Sequence, residues 1–481
     1  MNTMFRQEGF MQIIGSSAKR VDAFDKVTGK AKYTPDTVPA HALWAKVLHS
    51  TIANGWVKEF DLAEAWKTEG VVDIVTCFDV PDIQFPTAGH PWSTNPRFQD
   101  IADRKLLNAR VRCYGDDIAA VIAESQMAAD IAVSKIKVVY EEYKPMLTVE
   151  EAMSEGACVL HEERPDNIVK ATTFEIGDYE AAIKEEGLIK IEGDYDTPVV
   201  SHCHIEPANS WAYMEAGKVV VVAATQLPHL VRRMCAQALG VGFGDVRIIK
   251  PYLGGGFGNR QDALTEPLNA YLTTRVGGKP VVLAYTREET FHATRTRHAM
   301  KFHLTTYVRK DGSFAARSIK VYSNQGAYAS HGHALAANAA NAFRMLYPVG
   351  AIKGEAYTVY TNLTTAGAMR AYGIPQSMFA LESHIDDICR ATGLDPITIR
   401  KQNMMKLGYV DGPTTITCHS TGLEECIDRG AAYLDYDRKR AEYAKASGPI
   451  RRGVGMSIFC YKSGVYPINL ETSSVRMLLN Q

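Results

Sequence analysis

Short runs of alternating hydrophobic and polar residues dominate the first 145 residues of the chain. Alternation with a period of two is typical of half-buried strands, whereas a spacing of three to four is typical of amphipathic helices. On this basis we predict strands at 43–50, 71–82, 116–125 and 135–143, and helices at 62–70 and 126–133. Residues 20–145 are therefore predicted to form one α+β unit.

A more polar stretch, 146–188, follows and is predicted to be a connector that crosses the surface. Strands and helices then alternate again. The predicted strands are 189–198, 218–226, 245–253, 280–286, 300–308, 314–323 and 452–461, and the predicted helices are 227–240, 261–276, 377–391, a short one within 393–408, and 422–434. We therefore expect an α+β protein with a second unit at 189–410 and a third that begins at 411.

The last ten residues, 472–481, have the composition of an apolar strand, and no turn or partner strand follows them. An unpaired apolar strand leaves an exposed sheet edge. We therefore expect that more protein, on this chain or another, completes the unit 411–481.

The charges of the chain are balanced, with 53 Lys and Arg against 54 Asp and Glu among 481 residues. This balance argues against nucleic acid or an anionic membrane as the main partner, and no run approaches the roughly 20 apolar residues of a membrane span. The nine cysteines are scattered and never form C-x-x-C. We therefore predict a reduced, cytoplasmic protein without a zinc or iron–sulfur ligand set in this chain.

A glycine-rich segment between a predicted strand and a predicted helix is the strongest candidate for chemistry. It contains Gly254, Gly255, Gly256 and Gly258, with Phe257 among them. Without Cβ atoms, its backbone N–H groups can approach an oxo or phosphate oxygen closely. A P-loop is excluded because no Gly-Lys-Ser/Thr follows. A tight strand-to-helix turn without a ligand remains the alternative.

Two further segments carry polar residues that suit a ligand. Arg370 lies in AMRAYGIPQ, a loop punctuated by Gly and Pro, where it could bind an anionic ligand or simply be solvated. Gln226 ends the apolar run VVVVAATQ, and ligand crevices often gather at strand ends.

The segment HCHIEP places His202 and His204 on one face of a strand, with Glu206 close by. Such a set could bind a metal ion. Because no further ligand set is nearby, a hydrogen-bonded structural cluster is the favoured interpretation.

Taken together, these motifs resemble the molybdenum-binding subunit of the xanthine dehydrogenase family, in its bacterial form with separate subunits. The motifs that carry the resemblance occur in the family's order: HCHIEP, ATQLPH, KPYLGGGFGN, TRTRHAM, SNQGAYASHGH, AMRAYGIPQ and DPITIRKQN. The resemblance implies an α/β-hammerhead domain at 20–145, a connector at 146–188, a first molybdenum-cofactor-binding domain at 189–410, and the start of a second, incomplete one at 411–481.

The resemblance also implies roles for individual residues at the cofactor. Gln226 would hydrogen-bond an oxygen ligand of molybdenum, and the backbone of Phe257 and the loop of Arg370 would reach the same centre. The implied cofactor-binding residues are Gln226, Gly255, Gly256, Phe257, Gly258 and Arg370.

For the substrate, the resemblance implies that the ring of Tyr372 packs edge-on against a heteroaromatic molecule. Gln261 stands where animal xanthine oxidoreductases carry a glutamate, and Asn338 stands, by rough alignment, where they carry an arginine. Gln261 can donate and accept without a charge, so it suits a neutral purine face, and both departures leave the exact substrate open. Ala371 replaces the cysteine of carbon monoxide dehydrogenases, which disfavours that branch.

The family continues past a strand like SSVRMLLNQ into a region that carries its glutamate general base. We therefore expect that base outside this chain, and no activity from the chain alone. The implied cofactor is molybdenum-molybdopterin in its cytosine dinucleotide form. FAD and [2Fe-2S] clusters are expected on partner chains, namely an FAD-binding subunit and a 2Fe-2S subunit, with a further chain supplying the rest of the molybdenum domain.

Three functions follow as hypotheses. The first is a component of a hydroxylase that oxidises purines (hypoxanthine or xanthine) at an electron-poor ring carbon with water. The second is a fragment of a nicotinate or aldehyde hydroxylase large subunit. The third is a non-catalytic truncated subunit.

Overall fold

A computed structural model describes residues 15–88, 100–413, 415–461, 475 and 477–479. Its strands, β1 to β17 in chain order, are Leu43–His49, Gly55–Asp61, Val71–Thr76, Arg110–Val111, Asp117–Ala123, Lys137–Glu142, Ile168–Ile176, Ile189–Thr197, Val200–Ser201, Asn209–Glu215, Lys218–Ala223, Val246–Ile249, Val281–Ala284, Thr296–Arg297, Ala299–Val308, Phe314–Gly326 and Ile352–Tyr360. Its α-helices, α1 to α13, are Ala23–Val27, Ala63–Trp66, Gln126–Lys135, Val149–Ala152, Tyr179–Ala182, Pro228–Leu239, Glu266–Arg275, Arg287–Ala293, Gly332–Leu346, Ile374–Thr392, Pro396–Asn403, Leu423–Leu434 and Tyr436–Ala444. The predicted α+β class is confirmed.

Two large sheets organise the molecule. One has seven strands in the order β12-β11-β10-β13-β1-β5-β3, and the other has five in the order β7-β17-β16-β15-β8. In the seven-stranded sheet β1 pairs in parallel with β13, with Leu43 opposite Val281. The predicted first unit therefore shares a sheet with residues of the predicted second unit.

The largest hydrophobic core lies between the five-stranded sheet and the helices α9 and α10. Leu304, Val321, Phe343 and Leu381 are fully buried in it. A second core forms where α7 packs on β10 and β11 and where α6 packs on α7 and β12. No helix in the described ranges is both long and apolar enough to cross a membrane.

The predicted connector 146–188 contains a strand that the sequence analysis missed. β7 lies at the edge of the five-stranded sheet and pairs antiparallel with β17. Leu160 and Val169 are buried in a core shared with Val359, so this stretch is not only a surface connector. Its polar composition misled the prediction because edge strands carry polar and charged residues on their open side.

Other predictions differ at particular elements. Helix α9 was not predicted, and the helix expected at 261–276 begins at Glu266, because a 3₁₀ turn occupies Asn259–Gln261. The strand expected at 452–461 is wrong, since these residues form no regular element and only Ile458 among them is buried. The predicted strand 472–481 lies outside the described residues except at 475 and 477–479, which are not in a strand.

A buried ion network joins the predicted first unit to helix α8 of the predicted second unit. His49 Nδ1 lies 3.0 Å from Asp117 Oδ1, and His49 Nε2 lies 3.6 Å from Glu289 Oε1. Lys46 pairs with Glu289, and Arg104 pairs with Asp117. Burial alone would lower the pKa of His49, but the two carboxylates raise it to about 9. The imidazole is therefore a buried cation at neutral pH.

This network predicts a pH-dependent stability. Because the folded pKa of His49 lies above its unfolded value of 6.5, its contribution is complete below pH 6.5 and is lost as the pH rises through about 9. We expect the free energy of unfolding, measured by urea titration, to fall across that window. His49→Gln should flatten the dependence, whereas His419→Gln, at an exposed histidine, should not. An identical pH profile in His49→Gln would contradict this account.

Candidate functional site

The glycine-rich loop leaves β12 and enters the 3₁₀ turn Asn259–Gln261. Gly255, Phe257 and Gly258 have positive φ angles of 107°, 53° and 108°. A bulky side chain with φ above zero is unusual and is held only where the surroundings determine it. Phe257 is 49% exposed, so the loop presents this residue to solvent.

Close packing explains why the loop is made of glycine. A Cβ on Gly254 would lie 2.5 Å from the Cβ of Glu206, and one on Gly255 would lie 2.9 Å from that of His204. A Cβ on Gly256 would lie 2.9 Å from Cδ of Gln226. The loop is therefore seated against both HCHIEP and the end of β11, which is more than a simple tight turn requires.

Hydrogen bonds connect the loop to the other two candidate segments. The N–H of Gly258 donates to Gln226 Oε1 at 2.9 Å, and the N–H of Arg370 donates to the carbonyl of Phe257 at 2.8 Å. The structure thus brings together Gln226, the glycine-rich loop and the arginine loop, which are far apart in sequence.

Several donors at this junction have no acceptor. Because Gln226 Oε1 accepts from Gly258, its Nε2 is the free end of the amide, and it has no partner within the described ranges. The backbone N–H groups of Gly255, Gly256 and Phe257 likewise have no acceptor among the residues described. Adjacent unpaired N–H groups suit an oxo or other anionic group.

HCHIEP is a hydrogen-bonded cluster, and the strand predicted to carry His202 and His204 is wrong, because β9 ends at Ser201. His204 Nδ1 donates to the carbonyl of Glu206 at 2.6 Å, and its Nε2 accepts from Asn259 Nδ2 at 2.8 Å. Burial, helped by the nearby Arg260, lowers the pKa of His204 to about 4, so the ring is neutral. The described part of the chain contains no group of three or more His, Cys, Asp or Glu side chains that could hold a metal ion. The contacts therefore support the interpretation of HCHIEP as a hydrogen-bonded structural cluster.

Arg260 is a site residue that the sequence analysis missed. Its buried guanidinium donates to the carbonyls of Ala224 at 3.0 Å and Pro207 at 2.9 Å, and its own carbonyl accepts from the N–H of Gln226 at 2.8 Å. Arg260 therefore joins HCHIEP, the end of β11 and the glycine-rich loop. The available signal was a basic residue two positions after the last glycine of the run.

The arginine loop is held by its main chain, while its charge is exposed. The Arg370 side chain makes no hydrogen bond or ion pair with any residue that the structure describes, and its carbonyl accepts from Arg297 Nη2 at 2.9 Å. A cation held ready by a fixed backbone suits an anionic ligand.

Two of the three candidate substrate residues contact each other, and the third does not hydrogen-bond to either. Asn338, on α9, donates from Nδ2 to the carbonyl of Tyr372 at 2.6 Å, and the Tyr372 hydroxyl lies 3.0 Å from His331 Nδ1. Gln261 is half-buried in the 3₁₀ turn, and no hydrogen bond joins it to Tyr372 or Asn338. The structure thus pairs Asn338 with Tyr372, and the Gln261 amide has no hydrogen-bond partner among the residues it describes.

Comparison with known families covers most of the chain. The family model described as "Molybdopterin cofactor-binding domain" matches residues 160–404, a range that includes every candidate site residue. The model described as "Aldehyde oxidase and xanthine dehydrogenase, a/b hammerhead domain" matches residues 28–144.

Individual relatives agree with these matches. The chain is 42% identical over 463 residues to the xanthine dehydrogenase molybdenum-binding subunit of Escherichia coli O157:H7, covering 96% of this chain and 61% of that protein. It is 32% identical over 421 residues to the nicotinate dehydrogenase large molybdopterin subunit of Eubacterium barkeri, covering 87% of this chain and 95% of that one. The aldehyde oxidoreductase structure from Desulfovibrio gigas superposes with a TM-score of 0.82 at 28% identity, over 90% of this chain and 48% of that one.

The chain thus spans about three fifths of the length of the Escherichia coli relative and about half of the Desulfovibrio structure. The hammerhead model covers β1 to β6, and the cofactor-binding model covers β7 to β17. The resemblance drawn from the motifs is therefore confirmed. The chain belongs to the xanthine dehydrogenase family of molybdenum-binding subunits.

Proposed function

We propose that this chain is the molybdenum-binding component of a hydroxylase that oxidises purines, hypoxanthine or xanthine, at an electron-poor ring carbon. The observation that carries the proposal is the set of unpaired donors at one junction: Gln226 Nε2 and the N–H groups of Gly255, Gly256 and Phe257. The chemistry that a molybdopterin cofactor supplies when bound is oxidation of carbon with an oxygen atom drawn from water.

The donor set fits such a cofactor. Gln226 Nε2 would donate to an oxygen ligand of the metal, and the loop N–H groups would do the same, since none of them is committed elsewhere in the described residues. Arg370 would add a positive charge beside an anionic centre. We propose the cytosine dinucleotide form, on the resemblance to the bacterial family alone.

Substrate contacts follow from the arrangement around Tyr372. Its ring would orient a planar heteroaromatic substrate edge-on, a contact of about 0.5–1.5 kcal/mol. Asn338 Nδ2 is committed to the Tyr372 carbonyl, so Asn338 would act chiefly by holding that loop. Gln261, whose amide has no partner in the described ranges, remains the candidate that hydrogen-bonds a neutral purine face.

We propose that the complete enzyme includes an FAD-binding subunit, a 2Fe-2S subunit and the remainder of the molybdenum domain with its glutamate base. All nine cysteines lie in the described part and are free thiols, so electrons would leave through partner chains. Free thiols also support a cytoplasmic location.

Nicotinate oxidation is the second candidate function. It is favoured by the 32% identity to a nicotinate dehydrogenase large molybdopterin subunit that this chain matches over 95% of its length. Turnover of xanthine and of nicotinate by the complete complex, assayed with an artificial electron acceptor, separates the two candidates.

Arg370→Ala tests the cofactor assignment. In the complex assembled from the full chain and its partners, we expect molybdenum content or turnover to fall at least tenfold, because a charged hydrogen bond of about 1.5–3 kcal/mol is lost. Elemental analysis and the oxidation assay measure the two quantities. Arg429→Ala, at an arginine whose side chain is 80% exposed, is the matched control and should change neither. Wild-type molybdenum content together with a wild-type rate in Arg370→Ala would refute the assignment.

A further inference from the structure

A chain of polar contacts runs from the arginine loop into the protein core. The Tyr372 hydroxyl lies 3.0 Å from His331 Nδ1 and 3.4 Å from the carbonyl of His331. The two rings are perpendicular, at 90°, with centroids 5.5 Å apart. On its other side, His331 Nε2 lies 3.2 Å from Asp262 Oδ1. His331 and Asp262 are both buried.

The surroundings of Asp262 determine which groups donate and which accept along these polar contacts. Its Oδ2 accepts from Arg295 Nε and from the Ser330 hydroxyl at 2.8 Å. Although burial alone would raise the pKa of Asp262, Arg295 and the neighbouring donors lower it to about 2, so the carboxyl is an anion. Asp262 Oδ1 and His331 Nε2 are close enough for electrostatic attraction, but neither atom has a hydrogen-bond partner of good geometry in the described residues.

Because a carboxylate anion that can only accept lies 3.2 Å from Nε2, electrostatic attraction favours the tautomer of His331 that carries its proton on Nε2. Nδ1 is then an acceptor, and the Tyr372 hydroxyl donates to it. The phenol is consequently committed to the protein, and what Tyr372 can offer a neighbouring molecule is its ring and not a hydrogen bond.

The backbone of the arginine loop has an unusual conformation, which neighbouring side chains hold in place. Ala371 and Tyr372 have φ angles of 69° and 48°, in the left-handed region that residues with a Cβ seldom adopt. Asn338 holds the Tyr372 carbonyl, and Arg297 holds that of Arg370. The Tyr372 ring packs against the largest hydrophobic core, and His331 is the residue that holds its hydroxyl among the residues described.

We propose that His331, oriented by Asp262, is a positioning residue that locks the ring plane of Tyr372 for edge-on contact with a planar heteroaromatic substrate. The inference deepens the proposed function and rests on it. It assigns selectivity for flat rings to the pair, because a fixed ring edge favours a flat partner, whereas a small aliphatic aldehyde gains little from it.

The test compares His331→Phe, Tyr372→Phe and the double variant in the molybdenum-loaded complex, with xanthine or nicotinate and a short aliphatic aldehyde as substrates. We expect each single variant to raise KM for the heteroaromatic substrate at least fivefold, with kcat and the aldehyde parameters within twofold. The double variant should be no worse than either single one, because both remove the same hydrogen bond. His331→Gln, which retains an acceptor, should recover part of the loss.

The matched control is His384→Phe. His384 is a buried residue of α10, and its Nδ1 lies 3.1 Å from the Tyr195 hydroxyl, with the two rings again near perpendicular. This variant should lower the thermal midpoint without moving KM, which separates positioning from general stability.

Two results would overturn the inference and leave the proposed function intact. One is an unchanged KM in His331→Phe at wild-type molybdenum content. The other is a KM increase in the double variant that equals the product of the two single increases. If His331→Phe does not fold, Tyr372→Phe decides alone, since it removes the same bond, and an unchanged KM overturns the inference. A wild-type complex that holds no molybdenum and oxidises no substrate would overturn the proposed function and this inference together.

Discussion

Gly256→Val is expected to abolish molybdenum loading while the chain still folds. Gly256 is buried, and even a Cβ at this position would press on the Gln226 side chain, 2.9 Å from its Cδ. Valine would displace Gln226 and the neighbouring N–H donors together, and those donors are what the proposed site offers an anionic group. Molybdenum content by elemental analysis measures the loss, and circular dichroism checks the fold.

Gly277→Ala provides the matched control for this variant. Gly277 follows α7 with a φ of 68°, and a Cβ there would meet nothing within 4 Å. The cost is then backbone strain of about 1 kcal/mol, with no effect on the site. Equal loss of molybdenum in the two variants, after correction for folded protein, would show that the loop is only a turn.

Arg295→Met is expected to destabilise the chain by about 3–5 kcal/mol, because it leaves the Asp262 carboxylate buried without its cation. The two side chains are 2% and 0% exposed. Urea unfolding of the full chain measures the change. Arg275→Met breaks a pair with Asp73 in which the arginine is 39% exposed, and it should cost only about 0–1 kcal/mol. A similar small shift in Arg295→Met would contradict the account of this pair.

Local signals predicted the elements whose ends are marked in the sequence. Pro228 and Gly240 bracket a helix that the structure places at Pro228–Leu239, with Gly240 in the left-handed conformation at 67°. The glycine run was likewise recognisable as a loop whose backbone can closely approach an oxo or phosphate oxygen. In both cases the residue type itself restricts the backbone.

Elements that depend on distant partners were not predictable in this way. β7 is polar on its open side and is a strand because β17, nearly 200 residues later in the chain, pairs with it. Residues 452–461 have the apolar pattern of a strand, yet no strand in the described ranges pairs with them. A strand is defined by its neighbour, which a local pattern does not contain.

The candidate site shows the same division. Glycine, Gln226 and Arg370 were identified because motifs carry them, whereas Arg260 was not, since its importance comes from three carbonyls brought together by folding. A buried charge in a short polar segment looks in sequence like any solvated residue.

The parallel pairing of β1 with β13 has a consequence for synthesis on the ribosome. Leu43 and Val281 are separated by about 240 residues, and at about 5–20 residues per second that interval lasts on the order of 10–50 s. During this time β1 can pair with β5 but not with β13, which has not yet been synthesised. One edge of β1 therefore stays unpaired. The emerging polypeptide therefore presents a template for wrong strand addition, and its yield in a cell should depend on chaperones that bind the nascent chain.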